Sequence, residues 1–430
     1  MLARLRALSA GSTLRSVAVL MTGTLLAQVI TISITPILSR LYAPADFGAL
    51  GLLNAVVMPL IGVAALRYDM AIVIPREERD AAGLLRLSML CVLGLSGLLL
   101  VVIALGRAPI AEALGEPLLA EWLWVAPMIL LASGSYGVLN YWNTRQKTFR
   151  RLSNAAVLAA GGSGGMKVGL GLLSFGAAGL VFGQLLGQIV ASVALAWQTL
   201  RVEHRALGGA QGSASLRTLA RRHSDFPIYQ VPITLLNGLS QSIPVYLLGG
   251  LFGSASVGHW ALALMVLTMP VFLVSGALRQ VMLQRGSELQ HQGQSLLPLL
   301  GRSTALLALA SLPVLAIGLW IAPALFALVF GAEWQAAGEL ARAMGVWQWS
   351  ALISTPAAAL FPVLRIQGRT LVWQLFAILL GAGAFMFGAE GGASLDAITA
   401  YSAAMVLSNL ALILMVLLSA RGRRGGDASS

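Results

Sequence analysis

Long apolar runs alternate with short polar segments along the whole 430-residue chain. A helix that crosses the hydrocarbon core of a membrane needs about 20 mainly apolar residues, and the pattern repeats this length twelve times. It therefore predicts an all-α polytopic membrane protein with about 12 transmembrane helices. The predicted spans are 16–38, 47–66, 84–105, 122–143, 153–174, 178–200, 228–250, 255–276, 299–322, 340–362, 370–389 and 396–419.

Composition agrees with this pattern. Hydrophobic residues make up 58% of the chain and charged residues only 10%, whereas soluble domains carry about 25% charged residues. This excludes a soluble enzyme and a disordered chain. The single cysteine, Cys91, lies in an apolar run, so an internal disulfide is impossible.

The net charge of +12 would suit a nucleic-acid partner, but the positions of the basic residues indicate a different origin. Of the 28 Lys and Arg residues, 24 fall in alternate polar segments, three in the others, and Lys167 within a span. The positive-inside rule places the basic segments in the cytoplasm. We therefore expect a multi-pass protein of the bacterial inner membrane with both termini cytoplasmic and no nucleic-acid partner.

The chain also divides into two related halves. The polar segment 201–226 is rich in Gly and Ser, which predicts a cytoplasmic linker between six-helix lobes at 1–200 and 227–420. Residues 421–430 are predicted to be a disordered cytoplasmic tail. Residues 24–48 align without a gap with 234–258, with seven identities in 25 positions. Since six helices restore the starting orientation, a pseudo-two-fold axis along the membrane normal would relate the lobes, as in transporters.

Several motifs resemble the polysaccharide flippases of the multidrug/oligosaccharidyl-lipid/polysaccharide exporter superfamily. The likeness covers about the first 280 residues and includes the helix 4–5 connection at 142–150. The resemblance implies a twelve-helix, two-lobed fold. It also implies movement of polyprenyl-diphosphate-linked oligosaccharide across the inner membrane. The clearest motifs are Leu38–Gly48 (LSRLYAPADFG), Leu66–Pro75 (LRYDMAIVIP) and Asp225–Pro232 (DFPIYQVP).

Lys167 is the only charge between Arg151 and Arg201. Two spans and a turn occupy that whole stretch, so the lysine cannot lie in a loop. A cation within the membrane usually faces a cavity or a partner, which favours binding of the substrate's diphosphate. The alternative is a lysine that snorkels to the outer interface.

Two predicted helices each carry a stripe of neutral polar residues at intervals of 4, 3 and 4. Helical spacing places each stripe on one face, where hydrogen-bonding groups could line a wet cavity and bind sugars. The alternative is hydrogen bonding between packed helices. The stripes consist of Thr24, Gln28, Thr31 and Thr35 in the first span and of Gln230, Thr234, Asn237 and Gln241 in the seventh.

Further charged residues are expected near helix ends. Arg40, Arg67 and Arg279 are candidate substrate-binding residues, because a guanidinium group can donate two parallel hydrogen bonds to a diphosphate. Anchoring of the helices at the inner interface is the alternative role. Asp69 could carry a coupling proton or could pair with Arg67.

The sequence contains no nucleophile motif and no metal-ligand spacing. We therefore expect no enzyme activity, no cofactor and no metal. The interpretation is a flippase for lipid-linked oligosaccharide units in O-antigen, capsule or exopolysaccharide synthesis, working by alternating access. Its expected partners are the lipid-linked substrate, membrane lipids and a polysaccharide polymerase complex. The alternatives are a cation-coupled multidrug exporter, a membrane glycosyl polymerase or ligase, and an assembly scaffold.

Overall fold

The computed structural model describes residues 2–113, 119–208, 215–364 and 366–426, which form helices joined by short turns and contain no β-strand. The predicted all-α class is confirmed. The α-helices in these ranges are α1 (Leu2–Leu41), α2 (Pro44–Ile61), α3 (Tyr68–Ala71), α4 (Glu78–Ala113), α5 (Leu119–Trp122), α6 (Ala126–Arg145), α7 (Phe149–Leu172), α8 (Ala177–Gly208), α9 (Leu216–Arg222), α10 (Val231–His291), α11 (Leu297–Phe330), α12 (Gln335–Ala359), α13 (Phe361–Leu364), α14 (Gln367–Ala389) and α15 (Ser394–Gly426).

Ten segments of the described chain are long and apolar enough to cross a membrane. One of them, Phe226–His291, covers both the seventh and the eighth predicted span, because α10 consists of two helices joined at Gly253. Gly253 has φ 78° and ψ 174°, a conformation that glycine adopts without steric cost. The tenth predicted span corresponds to α12, whose 25 residues are also long enough for a crossing.

The second predicted span ends earlier than the sequence indicates. Helix α2 stops at Ile61, and the following residues form turns instead of a last helical turn up to residue 66. Leu66 and Arg67 both have positive φ, at 48° and 61°, which is uncommon for residues with a Cβ. The sequence pattern did not predict this turn, because the hydropathy of an apolar, buried turn is the same as that of an apolar helix.

The chain forms two compact units, Met1–Ser254 and Ala255–Ser430. In the first unit α7 lies between α1 and α8, and α8 also contacts α2 and α6. The first half of α10 belongs to this unit, although the predicted C-terminal lobe begins at 227. The hydroxyl groups of Ser242 and Tyr246 both donate to the carbonyl oxygen of Ala55 in α2, at 2.8 and 2.6 Å.

The close contact of α7 with α8 depends on glycines one helical turn apart. Gly179, Gly183 and Gly187 all face α7 or the end of α1, and a Cβ built on any of them would collide with a neighbouring side chain. At Gly187 that Cβ would lie 2.6 Å from the Cβ of Ser163. Small residues at this spacing allow membrane helices to pack closely.

The second unit is held by α11 against α12, α12 against α15 and α14 against α15. An aromatic cluster lies in its interior, where Trp260 stacks on Trp347 and Tyr401 contacts both edge-on. Helix α15 continues to Gly426, so residues 421–426 of the predicted tail are helical, and 427–430 lie outside the described residues. Most of the Gly/Ser-rich part of the predicted linker, 209–214, also lies outside them.

Candidate functional site

Helix α1 exposes two faces of different character, one on each side of its contact with α7. Gly23 and Ile34 lie in that contact, since Gly23 meets Ser153 and Ile34 meets Gly164. On one side of the contact Thr24 and Thr31 are exposed.

The other exposed face of α1 is mainly apolar. Its exposed residues are Thr22, Leu26, Val29, Ser33, Ile37 and Arg40; between Thr22 and the terminal Arg40 only the small Ser33 is polar, and Val29 and Ile37 are exposed to 53% and 49%. A membrane helix of this kind faces lipid with its apolar side and a polar cavity with the other. We therefore expect lipid beside Val29 and Ile37 and water beside Thr24 and Thr31.

The four residues of the α1 stripe differ in how exposed they are. Thr24 and Thr31 are exposed, Gln28 is half-buried, and Thr35 is buried at 5% exposure. The Thr31 hydroxyl donates to the Ala27 carbonyl at 2.9 Å, and the Thr35 hydroxyl donates to the Thr31 carbonyl at 2.8 Å. Both donors are therefore used within α1, while the oxygen of the exposed Thr31 can still accept a hydrogen bond.

The second stripe follows the edge of the contact between α10 and α2. Asn237 and Gln241 are exposed, whereas Gln230 and Thr234 are half-buried. Thr234 packs against the turn after α2, since a Cβ on Gly62 would lie 2.7 Å from its methyl group. Within the first unit, Asn237 and Gln241 are therefore the stripe residues best placed to meet a ligand.

Lys167 lies in α7, five residues before that helix ends at Leu172, which is about 7.5 Å along the axis. Its carbonyl oxygen accepts a hydrogen bond from the Tyr42 hydroxyl at 2.6 Å, and its aliphatic chain contacts Gly183 of α8. The side chain is half-buried and forms no ion pair with a carboxylate in the described part of the chain. Lys167 therefore faces α8 and not the exposed side of α7, and it lies nearer the predicted outer end than the middle of the span.

A polar pair that the sequence analysis did not single out joins α2 to α8. The side-chain amides of Asn54 and Gln184 exchange two hydrogen bonds, at 3.2 and 2.6 Å. Gln184 directly follows Gly183, which contacts Lys167. Asn54 stands alone among the apolar residues of α2, whereas Gln184, Gln188 and Ser192 recur at intervals of four in α8. That row was a signal on one helix, but it did not indicate Asn54 as the partner.

The turn between α2 and α3 contains Arg67 and Asp69. Arg67 folds back to donate to the Gly62 carbonyl at 3.3 Å, while its Nε atom is buried without a partner. The Oδ1 atom of the buried Asp69 also has no partner. The two side chains do not form a direct ion pair, which was one of the two roles considered for Asp69; the backbone of Arg67 is left-handed, and its side chain donates to Gly62 instead.

The electrostatic environment of Asp69 is nevertheless affected by Arg67. Burial raises the pKa of the Asp69 carboxyl group, and the positive charge of Arg67 and the N–H groups of Met70 and Asp69 partly oppose that rise. Tyr141 of α6 lies close enough to interact with both charges. Arg145 at the end of α6 donates to the Ile72 carbonyl at 3.2 Å and so fixes this turn in place.

The two remaining candidate arginines lie apart from this turn. Arg40 is exposed in the last turn of α1. Arg279 is exposed within α10, which continues for twelve more residues to His291. Arg279 is therefore within a helix and not at its end, although the apolar stretch stops close to it.

Comparison with known proteins identifies the family. The sequence profile described as "Polysaccharide biosynthesis protein" matches residues 37–339. The chain belongs to this family. It is 25% identical over 385 residues to the succinoglycan biosynthesis transport protein ExoT of Rhizobium meliloti, a match that covers 87% of this chain and 74% of that protein.

Solved structures share the fold. A multidrug resistance MATE family transporter of the MOP superfamily, solved in an inward-facing conformation, superposes with a TM-score of 0.67 at 18% identity, over 95% of this chain and 96% of that one. A MOP superfamily transporter from Pyrococcus furiosus, described as having a binding pocket of reverse polarity that suggests a different function, gives 0.56 at 17% identity, over 96% and 94%. This chain therefore combines membership of a polysaccharide biosynthesis family with the fold of these transporters.

Proposed function

We propose that this protein is a flippase for polyprenyl-diphosphate-linked oligosaccharide units. It moves them from the cytoplasmic to the periplasmic leaflet of the bacterial inner membrane by alternating access, for polysaccharide synthesis. The observation that carries the proposal is the division of α1 into a mainly apolar exposed face and a polar exposed face. A sugar needs many neutral hydrogen-bonding partners in water, and the polar face supplies them within a membrane-spanning helix.

In this proposal the sugars, the diphosphate and the prenyl chain of the substrate each have different surroundings. Thr24 and Thr31 of α1, together with Asn237 and Gln241 of α10, bind the sugar hydroxyls. Lys167 attracts the diphosphate, and its lack of a carboxylate partner in the described chain leaves its charge available. Arg40, Arg67 and Arg279 assist at the two membrane surfaces, while the prenyl chain stays in lipid.

A cation-coupled drug exporter of the same superfamily is the second candidate, because the structural neighbours include multidrug resistance transporters. Such a protein would need an acidic residue within the spans to bind a cationic drug or ion. The charge that lies farthest from the ends of any predicted span is Lys167, of opposite sign. The similarity to a succinoglycan biosynthesis transport protein also supports the oligosaccharide substrate.

The orientation follows from the distribution of basic residues. The positive-inside rule places the turn with Arg67, the α6–α7 connection and both termini in the cytoplasm. The incoming substrate would then meet Arg67 first and Lys167 later. A polysaccharide polymerase complex on the periplasmic side would receive the product.

Depletion of the protein should cause lipid-linked oligosaccharide to accumulate in the cytoplasmic leaflet, while drug sensitivity stays unchanged. The measurement is the fraction of the lipid-linked sugar that an impermeant sugar-oxidising reagent modifies in intact spheroplasts, compared with permeabilised ones. Expression of the wild-type chain should restore the modified fraction. An unchanged leaflet distribution together with increased drug sensitivity would favour the exporter.

Asp69 is the proposed site of proton coupling. Its raised pKa means that the carboxyl group takes up a proton at a higher pH than an exposed aspartate, so a proton-driven rate should fall as the pH rises through that value. Asp69→Asn imitates the protonated form, and we expect transport by this variant to lose the pH dependence that the wild type shows. The measurement is the initial transport rate in proteoliposomes. A pH profile identical to that of the wild type would contradict coupling through Asp69.

A further inference from the structure

A groove with basic and apolar parts lies where α1, α7 and α8 meet at the basic side of the first unit. It consists of two adjoining cavities of 470 and 920 Å³ that share four lining residues, Val19, Arg150, Asn154 and Gln198. Cavities of these sizes are typical of small-molecule sites. The groove lies apart from the polar face of α1 and includes none of the residues assigned above to sugar or diphosphate binding.

One end of the groove is strongly basic. Lys147, Arg150 and Arg151 line it, and neither cavity is lined by a carboxylate. Arg151 is tied to the buried Asn143, whose oxygen it approaches at 3.5 Å. Lys147 and Arg150 are exposed, and in the described chain neither forms an ion pair.

A buried hydrogen-bond network stabilises the turn at the basic end of the groove. The Asn143 amide donates to the Thr199 hydroxyl of α8 at 3.0 Å, and its oxygen accepts from the Thr148 hydroxyl at 2.7 Å. Lys147 has φ 56°, so the chain reverses sharply before α7 begins. Arg150, in the first turn of α7, lines the same two cavities as Gln198 of α8.

The other end of the groove is mainly apolar, apart from Thr22, and reaches the exposed surface of α1 and α7. Leu26, Val157 and Leu158 line it, and Leu26 and Leu158 are exposed to 49% and 48%. Leu26 belongs to the mainly apolar face of α1, away from Thr31. A ligand in the groove can therefore have an anionic group at the basic end and a hydrocarbon chain that leaves directly into the membrane.

We propose that this groove is an entry site that binds the diphosphate and the first isoprenoid units of the lipid-linked substrate before the sugar reaches the polar face of α1. This inference rests on the proposed function and adds a second, lipid-facing site to it. The diphosphate lies against Lys147 and Arg150 and accepts hydrogen bonds from Asn154 and Gln198. The isoprenoid chain follows Leu26, Val157 and Leu158.

The number of cations favours a diphosphate over an ordinary phospholipid. Phosphatidylglycerol carries one negative charge, whereas a diphosphate carries at least two and can contact two cationic side chains at once. Arg150 can also bind two phosphate oxygens in parallel. The polar groups of Ser153, Asn154 and Gln198 between the basic and apolar ends suit an ester linkage at the membrane surface.

The test measures binding of farnesyl diphosphate, a short polyprenyl diphosphate without sugar, to the full-length protein in phosphatidylcholine nanodiscs. Lys147→Asn combined with Arg150→Gln should weaken binding at least about tenfold, because two charge-assisted hydrogen bonds are lost. Asparagine is chosen at 147 because it tolerates positive φ. Arg217→Gln, which removes an exposed cation from α9 outside the groove, should leave binding unchanged.

The remaining outcomes each decide the question. Equal affinity of the wild type for phosphatidylglycerol and farnesyl diphosphate would show an ordinary phospholipid site and overturn the proposal. If inorganic diphosphate binds as tightly as farnesyl diphosphate, the apolar end of the groove does not contribute to binding. That result would overturn its assignment to the isoprenoid chain. Unchanged affinity of the double variant for farnesyl diphosphate would show that the diphosphate does not bind in the groove, and would overturn the proposal.

Failure of the groove can be distinguished from failure of the proposed function. Groove binding without any effect of depletion on the leaflet distribution would refute the flippase and leave the entry site standing. Normal flipping with no binding of farnesyl diphosphate in the groove would refute the entry site and leave the flippase standing.

Discussion

Lys167→Met reduces transport of lipid-linked oligosaccharide about 10- to 100-fold at normal protein level, if Lys167 binds the diphosphate. The range corresponds to the loss of one charge-assisted hydrogen bond of about 1.5–3 kcal/mol. Methionine keeps an unbranched chain of similar length against Gly183, so the contact between α7 and α8 is preserved. The measurement is the initial rate in proteoliposomes, with the protein amount determined in the same sample.

The arginine variant is the matched control for charge. Lys167→Arg retains the cation and should keep a larger share of the activity than Lys167→Met, although the bulkier guanidinium must fit beside α8. Wild-type transport by the methionine variant would mean that Lys167 only snorkels to the outer interface. Loss of folded protein in both variants would instead assign Lys167 to helix packing.

Thr31→Leu combined with Gln241→Leu reduces transport about 5- to 100-fold, because the sugar loses two hydrogen bonds of about 0.5–1.5 kcal/mol each. Both side chains are exposed, and the Thr31 hydroxyl donates within its own helix. Neither residue therefore contributes much to stability. If the stripes only joined helices, the double variant would lose about 0.6 kcal/mol per residue and transport would be normal.

Cysteine labelling tests which of these faces meets water, independently of a transport measurement. In a Cys91→Ala chain, Thr31→Cys and Gln241→Cys should react with a small water-soluble maleimide. Leu26→Cys and Leu239→Cys are matched controls, exposed in the wild type to 49% and 46%, and they should react only with a lipid-soluble reagent. Equal reaction of all four positions with the water-soluble reagent would contradict the assignment of a lipid face.

Much of the architecture was predictable because a membrane imposes strong rules on composition. Backbone groups in hydrocarbon must be satisfied internally, so each long apolar run becomes a helix, as the run at 153–174 does in α7. The α10 kink at Gly253 and the early end of α2 at Ile61 were not predictable. Hydropathy measures how apolar a segment is and not the φ of one residue within it.

The candidate site was predictable only in part. The polar stripe of the first span was predicted because helical spacing places its residues on one face, and two of its members, Thr24 and Thr31, are exposed. Spacing could not show that Thr35 is buried or that Thr234 packs beside Gly62. Those differences depend on which neighbouring helix covers each turn.

The sequence by itself determined the helical class, the position of most spans and the basic side of the protein, because each follows from the local pattern of apolar and charged residues. Only the tertiary structure decided which groups meet. It joins Asn54 to Gln184 across 130 positions of sequence, leaves Arg67 and Asp69 without a direct ion pair, and brings Arg150 and Gln198 to one groove. The physical reason is that a hydrogen bond or a cavity depends on distances between helices, which the packing of small residues such as Gly183 sets and which no single helix encodes.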